Sequence, residues 1–271
     1  MTILAAIQMN STPVVSENLA TAGRLIERAV ARGATFIALP EYFACIGARP
    51  ADALAIAEPA GDGPIQHFLA EAAARHVVWL LGGTLPIVTA TRTRVRNASY
   101  LFGPDGTVAA RYDKMHLFAF DDGTLSYDEG SVLEAGDVPV SVSAGSMHVR
   151  LSVCYDLRFP EFFRQPGKAT SEPTFDLLCA PSAFTHETGR QHWDLLVRTR
   201  AVENLCYMLA PAQHGLHADG RRTWGHSMIV GPWGDVLDCV PEGEGIAIGE
   251  FSRARLADVR RTLPALQHRL L

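Results

Sequence analysis

The sequence has no surplus of positive charge: over 271 residues its formal net charge is -5. Nucleic-acid binders concentrate Lys and Arg on one face, so a nucleic-acid partner is not expected and a small molecule fits better. Paired cysteines are also missing. Cys45, Cys154, Cys179, Cys206 and Cys239 are scattered singly, with no CxxC that would mark a zinc or redox motif. The opening MTILAAIQMN has neither the basic n-region nor the long apolar h-region of a secretory signal. No apolar run approaches the roughly 20 residues that cross a bilayer as a helix. These absences point to a reduced, cytoplasmic protein without a membrane segment. No repeat, linker or low-complexity stretch divides the chain, so residues 1–271 are expected to form one domain. What is present suits a sizeable core, with 48% hydrophobic and 20% charged residues.

Short β-type runs alternate with helical patterns. A strand is expected over residues 3–9, followed by a helix whose apolar positions are Leu19, Ala22, Leu25, Ile26, Ala29 and Val30. Ser16 is placed to cap that helix and Gly33 to end it. Residues 35–39 read as a buried strand stopped by Pro40, which leaves Glu41 at a strand end. A second helix begins at Pro64 and leads into a strand over 77–81, broken by Gly82 and Gly83. Residues 99–102 and 107–112 flank the turn Gly103-Pro104-Asp105-Gly106 as a hairpin, and Lys114 lies just past it. Further strands are expected over 138–143, 149–154, 177–180, 208–212, 228–230 and 246–251, with a helix over 192–205. Cys154 then also falls at a strand end. The hairpins argue against a purely parallel sheet.

Ligands of layered α/β folds bind beyond strand ends, where loops converge. Cys154 alone reads as a buried structural thiol rather than a nucleophile, since free Cys is among the most buried residue types. A nucleophile needs a base, because a free thiol has a pKa of about 8.5 and the thiolate is the attacking species. Glu41 sits in apolar sequence, which raises a carboxyl pKa toward that of a general base, although alone it reads first as a strand-end cap or ion pair. Lys114 could hold an oxyanion or simply pair with Asp113. The three positions gain weight jointly.

Their flanks, LPEYF around Glu41, YDKMHLF around Lys114 and VCYDLRFPE around Cys154, make the chain resemble the carbon-nitrogen hydrolase (nitrilase) superfamily. Its Glu, Lys and Cys triad appears in this order. The likeness continues through CAPSAFTHETGRQHW, RTRAVEN and WGHSMIVGPWGDVL. The resemblance implies an α/β fold, a four-layer α-β-β-α sandwich, that pairs across a helical face as a homodimer or higher homo-oligomer. It also implies that Glu129, in YDEGSVLEAGD, orients Lys114 and the substrate, and that the backbone N–H of Tyr155 joins Lys114 in an oxyanion hole. The implied activity is hydrolysis of an amide through a Cys154 thioester, with no metal and no organic cofactor.

Within the superfamily, VCYDLRFPE, PSAFTHETG, AQHGLHADGRRTWGHSM and PWGDV are most similar to the deaminated glutathione amidases, whose relatives include omega-amidases and broader aliphatic amide or carbamoyl hydrolases. The first two groups share an acyl half ending in a 2-oxo acid carboxylate, for which a guanidinium is the natural partner. Arg158 is the expected ligand, unless it pairs with Asp156 or Glu161, and Phe184 and Thr188 match positions at the pocket entrance. His214, His217 and His226 lie in a Gly- and Arg-rich loop without a matching carboxylate or Cys pattern, so no metal site is expected there. Two stretches depart from the family: residues 163–173, whose Pro and Gly would break a helix, and residues 117–123, where the acidic residue usual directly after the Phe is missing.

Overall fold

The computed structural model describes residues 1–49, 51–121, 123, 126–164 and 174–270. In chain order its strands and helices are β1 (Thr2–Gln8), α1 (Val15–Ala31), β2 (Phe36–Ala38), α2 (Asp52–Ala55), α3 (Pro64–His76), β3 (Trp79–Leu81), β4 (Leu85–Val88), β5 (Val95–Phe102), β6 (Val108–Asp113), β7 (Ala119–Asp121) and β8 (Ser126–Asp128). There follow β9 (Val140–Ala144), β10 (Met147–Leu151), β11 (Leu177–Cys179), α4 (His186–Asn204), β12 (Tyr207–Ala210), β13 (His214–Leu216), β14 (Arg222–Trp224), β15 (Ser227–Val230), β16 (Val236–Val240), β17 (Gly245–Phe251) and α5 (Arg253–Thr262).

One sheet runs β17-β1-β2-β3-β5-β4, with β6 on the other edge of β5; the second runs β16-β15-β12-β11-β10-β9. Each is built around a parallel trio, β1-β2-β3 and β10-β11-β12, extended by antiparallel strands. Alternation along the strands makes the layers. Leu4, Ala6, Phe36 and Ala38 face the second sheet and share a core with Val149, Leu151, Leu177 and Cys179, whereas Ala5, Ile7, Ile37 and Leu39 pack beneath α1 and α3. Trp193, Val197 and Ala201 of α4 and Leu256 of α5 close the far side. The expected four-layer α-β-β-α sandwich is therefore what the chain forms. Among the described residues no helix is long and apolar enough to cross a membrane.

Several local expectations change. Helix α1 buries Ala22, Leu25, Ile26 and Ala29 as its spacing requires, but Val14 occupies the N-cap position and Ser16 lies inside the helix. The first turn is tied down by Asn18, whose amide bonds Thr12 and Ala44. Gly33 does follow the helix in the left-handed region. Helix α4 begins at His186, six residues before the expected 192. The early turns contain Gly189, a weak helix former, where a Cβ would lie 2.4 Å from Trp224 Cβ; only glycine lets β14 approach the helix so closely. The strand expected to run to Cys154 ends at Leu151, and Cys154 opens a 3-10 turn, Cys154–Arg158. The short strands β4, β7, β8, β13, β14 and β16 and helix α5 carry too little periodic pattern to be read from sequence. The departure at 163–173 lies outside the described residues from 165 onward, as do Asp122 and residues 124–125.

The topology decides where the reactive side chains meet. Because β3 and β6 are both antiparallel to β5, β6 runs in the direction of β2 and β3. Its C-terminal end, carrying Lys114, falls beside the C-terminal end of β2, carrying Glu41. The ends of β10 and β11 bring Cys154 and Phe184 from the second sheet. Gly83 lies between β3 and β4 at φ +56, and a Cβ there would sit 2.1 Å from the Pro40 carbonyl oxygen. Glycine is needed for the turn to pass under the chain that leads to Glu41.

Candidate active site

Lys114 is buried, its ammonium between two carboxylates: Nζ lies 2.9 Å from Glu41 Oε1, and 2.9 and 2.7 Å from the two oxygens of Glu129. Asp113 instead pairs with Arg111, so the alternative partner for Lys114 is not used. Glu41 also accepts from Asn97 Nδ2 at 3.0 Å and from the Ala183 backbone N–H at 2.9 Å. Gln213, itself bonded to Ser11, donates to the Glu41 carbonyl. Glu129 further accepts from Tyr42 Oη and from the Phe118 N–H, both at 2.7 Å. Every oxygen of the two carboxylates is thus anchored by at least one donor, so the charges are fixed in direction as well as paired.

Cys154 shares the wall of one small chamber with Glu41. Its backbone is left-handed, φ 46, a conformation costing a non-glycine residue about 1–3 kcal/mol and found where a side chain must be aimed. The Cys154 N–H bonds the Pro181 carbonyl. Behind the turn, buried Asp156 accepts from Val153 N–H, Tyr112 Oη and the His116 N–H, and its Oδ1 lies 2.7 Å from His116 Nδ1. His116 stacks on Phe159 at 3.7 Å. This network bolts the Cys154 turn to the strand end that carries Lys114.

The electrostatics follow from burial. Loss of water raises the Glu41 carboxyl above its ordinary value, and the Lys114 charge only partly counters this. Burial alone would lower the Lys114 ammonium, but Glu129 and Glu41 outweigh it and hold it well above lysine's usual range. Burial, reinforced by the Glu41 charge, pushes the Cys154 thiol well up. Burial thus favours the protonated thiol and the neutral carboxyl, while the two carboxylates favour the charged form of Lys114.

Cys154 and Glu41 open into a small chamber also lined by Glu129, Tyr155, Arg158, Phe184 and Thr188. All the residues expected to act on or hold the substrate therefore line this chamber, except Lys114, which is bonded to two of its wall residues, Glu41 and Glu129. Arg158 forms neither of the ion pairs with Asp156 or Glu161 that sequence allowed. Its guanidinium lies over Phe184 and Tyr155, with Nη1 3.2 Å from His192 Nδ1. Thr188 Oγ1 is 2.8 Å from Thr185 Oγ1. Sequence reading passed over Tyr42, Asn97, Tyr112, His116 and Arg221 and named Asp156 only as a partner for Arg158; all of these but Asn97 lay inside the quoted motifs, while Asn97, in an ordinary strand, gave no signal. The loop histidines separate: His217 bonds Ser11 and Thr223 through its two ring nitrogens, and His226 stacks flat on Trp224.

Comparison with known proteins adds to this geometry. The model of the carbon-nitrogen hydrolase family matches residues 3–261. A deaminated glutathione amidase of Synechocystis is 40% identical, over 99% of this chain and 98% of that protein. The human omega-amidase NIT2 is 33% identical, over 98% and 94%. Among solved structures, the NitFhit protein of C. elegans superposes with a TM-score of 0.90 at 33% identity; the match covers 99% of this chain and 65% of that one.

Proposed function

This chain belongs to the carbon-nitrogen hydrolase family, and from that premise we propose that it hydrolyses deaminated glutathione to 2-oxoglutarate and Cys-Gly through a thioester on Cys154. The observation that carries the reading is the buried pairing of Glu41 with Lys114 against the Cys154 thiol, joined in one chamber by Arg158, a cation without an ion-pair partner among the described residues. An amidohydrolase of this superfamily acts on a small-molecule amide. The roles given to individual residues are our own assignment.

The thiol proton passes to Glu41 as Sγ attacks the amide carbon, and the carbonyl π pair moves onto oxygen. Lys114, with its proton locked in place, stabilises that oxygen as a fixed charge, together with the Tyr155 N–H. Collapse of the tetrahedral intermediate breaks the C–N bond, and the proton held by Glu41 goes to the departing amine. Water then gives a proton to Glu41 and attacks the thioester; when the C–S bond breaks, the proton returns to sulfur. Glu129 keeps Lys114 in position throughout, and Arg158 takes the 2-oxo acid carboxylate while Phe184 and Thr188 wall the entrance.

The substrate is tested by supplying deaminated glutathione and 2-oxoglutaramate separately and measuring Cys-Gly and ammonia. The expected outcome is a higher kcat/KM for the reaction that yields Cys-Gly. Faster ammonia release would move the assignment to an omega-amidase.

A pH profile tests the base. Glu41 must be ionised to accept the thiol proton, and its pKa lies above the ordinary carboxyl value of 4.5. As pH falls through that raised pKa the base is protonated, so kcat/KM is expected to decline with a midpoint above 4.5. A midpoint at or below the ordinary value would argue against Glu41.

The expected self-association is supported by Leu195 and Val202, which are exposed two turns apart on α4, with Val202 against Gly234, the residue after the similarly exposed Trp233. We assign this apolar face to pairing between two copies.

A further inference from the structure

We propose that Arg221 receives the terminal carboxylate of the leaving group and so makes the enzyme prefer dipeptide amides over primary amides; this rests on the functional reading above. The chamber around Cys154 is too small to hold an acyl group and a dipeptide together. A second cavity of about 180 Å³ adjoins it, and the two share Tyr42, Phe118, Glu129 and Arg221 in their walls. Arg158 belongs to the nucleophile's chamber alone, while Arg221 stands where the chambers meet. A substrate spanning them would keep its acyl half by Cys154 and extend its amine half into the larger space, which Ile46, Ile56 and Leu133 help to line.

The guanidinium of Arg221 is prepared for such a role. Asp219 Oδ2 accepts from its Nε and Nη2, at 3.2 and 2.9 Å, and Asp219 Oδ1 accepts from its backbone N–H. Its plane is held by one carboxylate on one edge, and among the described residues Nη1 has no hydrogen-bond partner. Both side chains are three-quarters buried, so a second carboxylate would meet this cation at reduced screening. Arg49 also lines the larger cavity, but its side chain is 80% exposed and paired with Asp52, the arrangement of a rim charge worth little. Asp128, Glu129 and Asp219 supply negative charge to the same walls; Glu129 is paired with Lys114, and Asp219 takes one edge of the Arg221 guanidinium and leaves the other edge open. Two extended residues reach about 7 Å, the scale on which a Cys-Gly carboxylate stands from the scissile nitrogen. Ammonia, as leaving group, has nothing to offer Arg221.

The test compares three substrates: deaminated glutathione, the same compound with its glycine carboxylate amidated, and 2-oxoglutaramate. For wild-type enzyme, amidation is expected to lower kcat/KM about 30-fold, the scale of a lost charge-assisted hydrogen bond. Arg221→Met should lower the ratio of kcat/KM on deaminated glutathione to that on 2-oxoglutaramate by a similar factor. The amidated compound should lose little more in the variant, and Arg221→Lys should recover part of the ratio. The amidation arm needs no variant, so a folding defect cannot imitate it. Equal losses on all three substrates, or no loss on amidation, would overturn the role of Arg221 and leave the functional reading standing. A wild-type enzyme that releases no Cys-Gly overturns both.

Discussion

Cys154→Ala is expected to remove amide hydrolysis by a factor of at least about 10⁴ while leaving the fold intact, since loss of the nucleophile disables a cooperating catalytic set outright. The other thiols cannot replace it. Cys179 and Cys206 are buried among apolar side chains, which drives their pKa values far above the ordinary thiol range, while half-buried Cys45 lines the larger cavity and not the chamber of Cys154, and half-buried Cys239 lies on β16. The substitution removes one sulfur from a pocket wall and strips no hydrogen bond from Lys114 or Glu129. Alanine at φ 46 carries the same backbone strain as cysteine. The thermal midpoint should therefore move by no more than a few degrees. Intact-mass measurement during turnover supplies the direct reading: an acyl adduct on wild-type protein, absent from Cys154→Ala, is expected. A variant that still turned over substrate would exclude the thioester route.

Lys114→Met is expected to act on stability and catalysis together. It leaves Glu41 and Glu129, each anchored by other donors, as two buried carboxylates without their shared cation. Breaking a buried pair by removing one partner costs about 3–5 kcal/mol, measurable as a lower denaturant midpoint. Loss of the oxyanion charge should add a fall of about 10²–10³ in kcat. A second substitution separates the two effects. Lys114→Met with Glu129→Gln removes one orphaned charge, so it should regain part of the stability and none of the activity. Recovery of both would mean that Lys114 serves the fold alone.

Much of the architecture was legible because it depends on periodic burial. The apolar positions of α1, the strands of the two parallel trios and the turn from 103 to 106 follow from which faces must be dry. The early start of α4 was hidden because Gly189 weakens the helical pattern, and its reason is the approach of Trp224, some 35 positions along the chain. The rim hairpins β7–β8 and β13–β14 were hidden for a related reason: three-residue strands with mixed side chains leave almost no period to read.

The candidate site divides in the same way. Glu41, Lys114, Glu129 and Cys154 stood out through their flanking motifs, and their positions past strand ends were readable from Pro40, the 103–106 turn and the end of an apolar run. Nothing local favoured Glu129 over Asp113 as the partner of Lys114, or kept Arg158 from pairing with Asp156. Those choices rest on contacts between segments far apart in sequence. Asp156 is unavailable to Arg158 because Tyr112, His116 and Val153 already surround it, and Arg221 reaches the cavity only because the β13–β14 hairpin folds over the strand ends. By itself the sequence determined the alternation of buried strands and helices and, through its motifs, the family and the candidate reactive side chains, since these depend on burial pattern and residue type. The tertiary structure decided which charges neutralise each other, which stay free for a substrate and how the cavity divides, because Coulomb energy and hydrogen bonding depend on distances that the chain sets only when it closes.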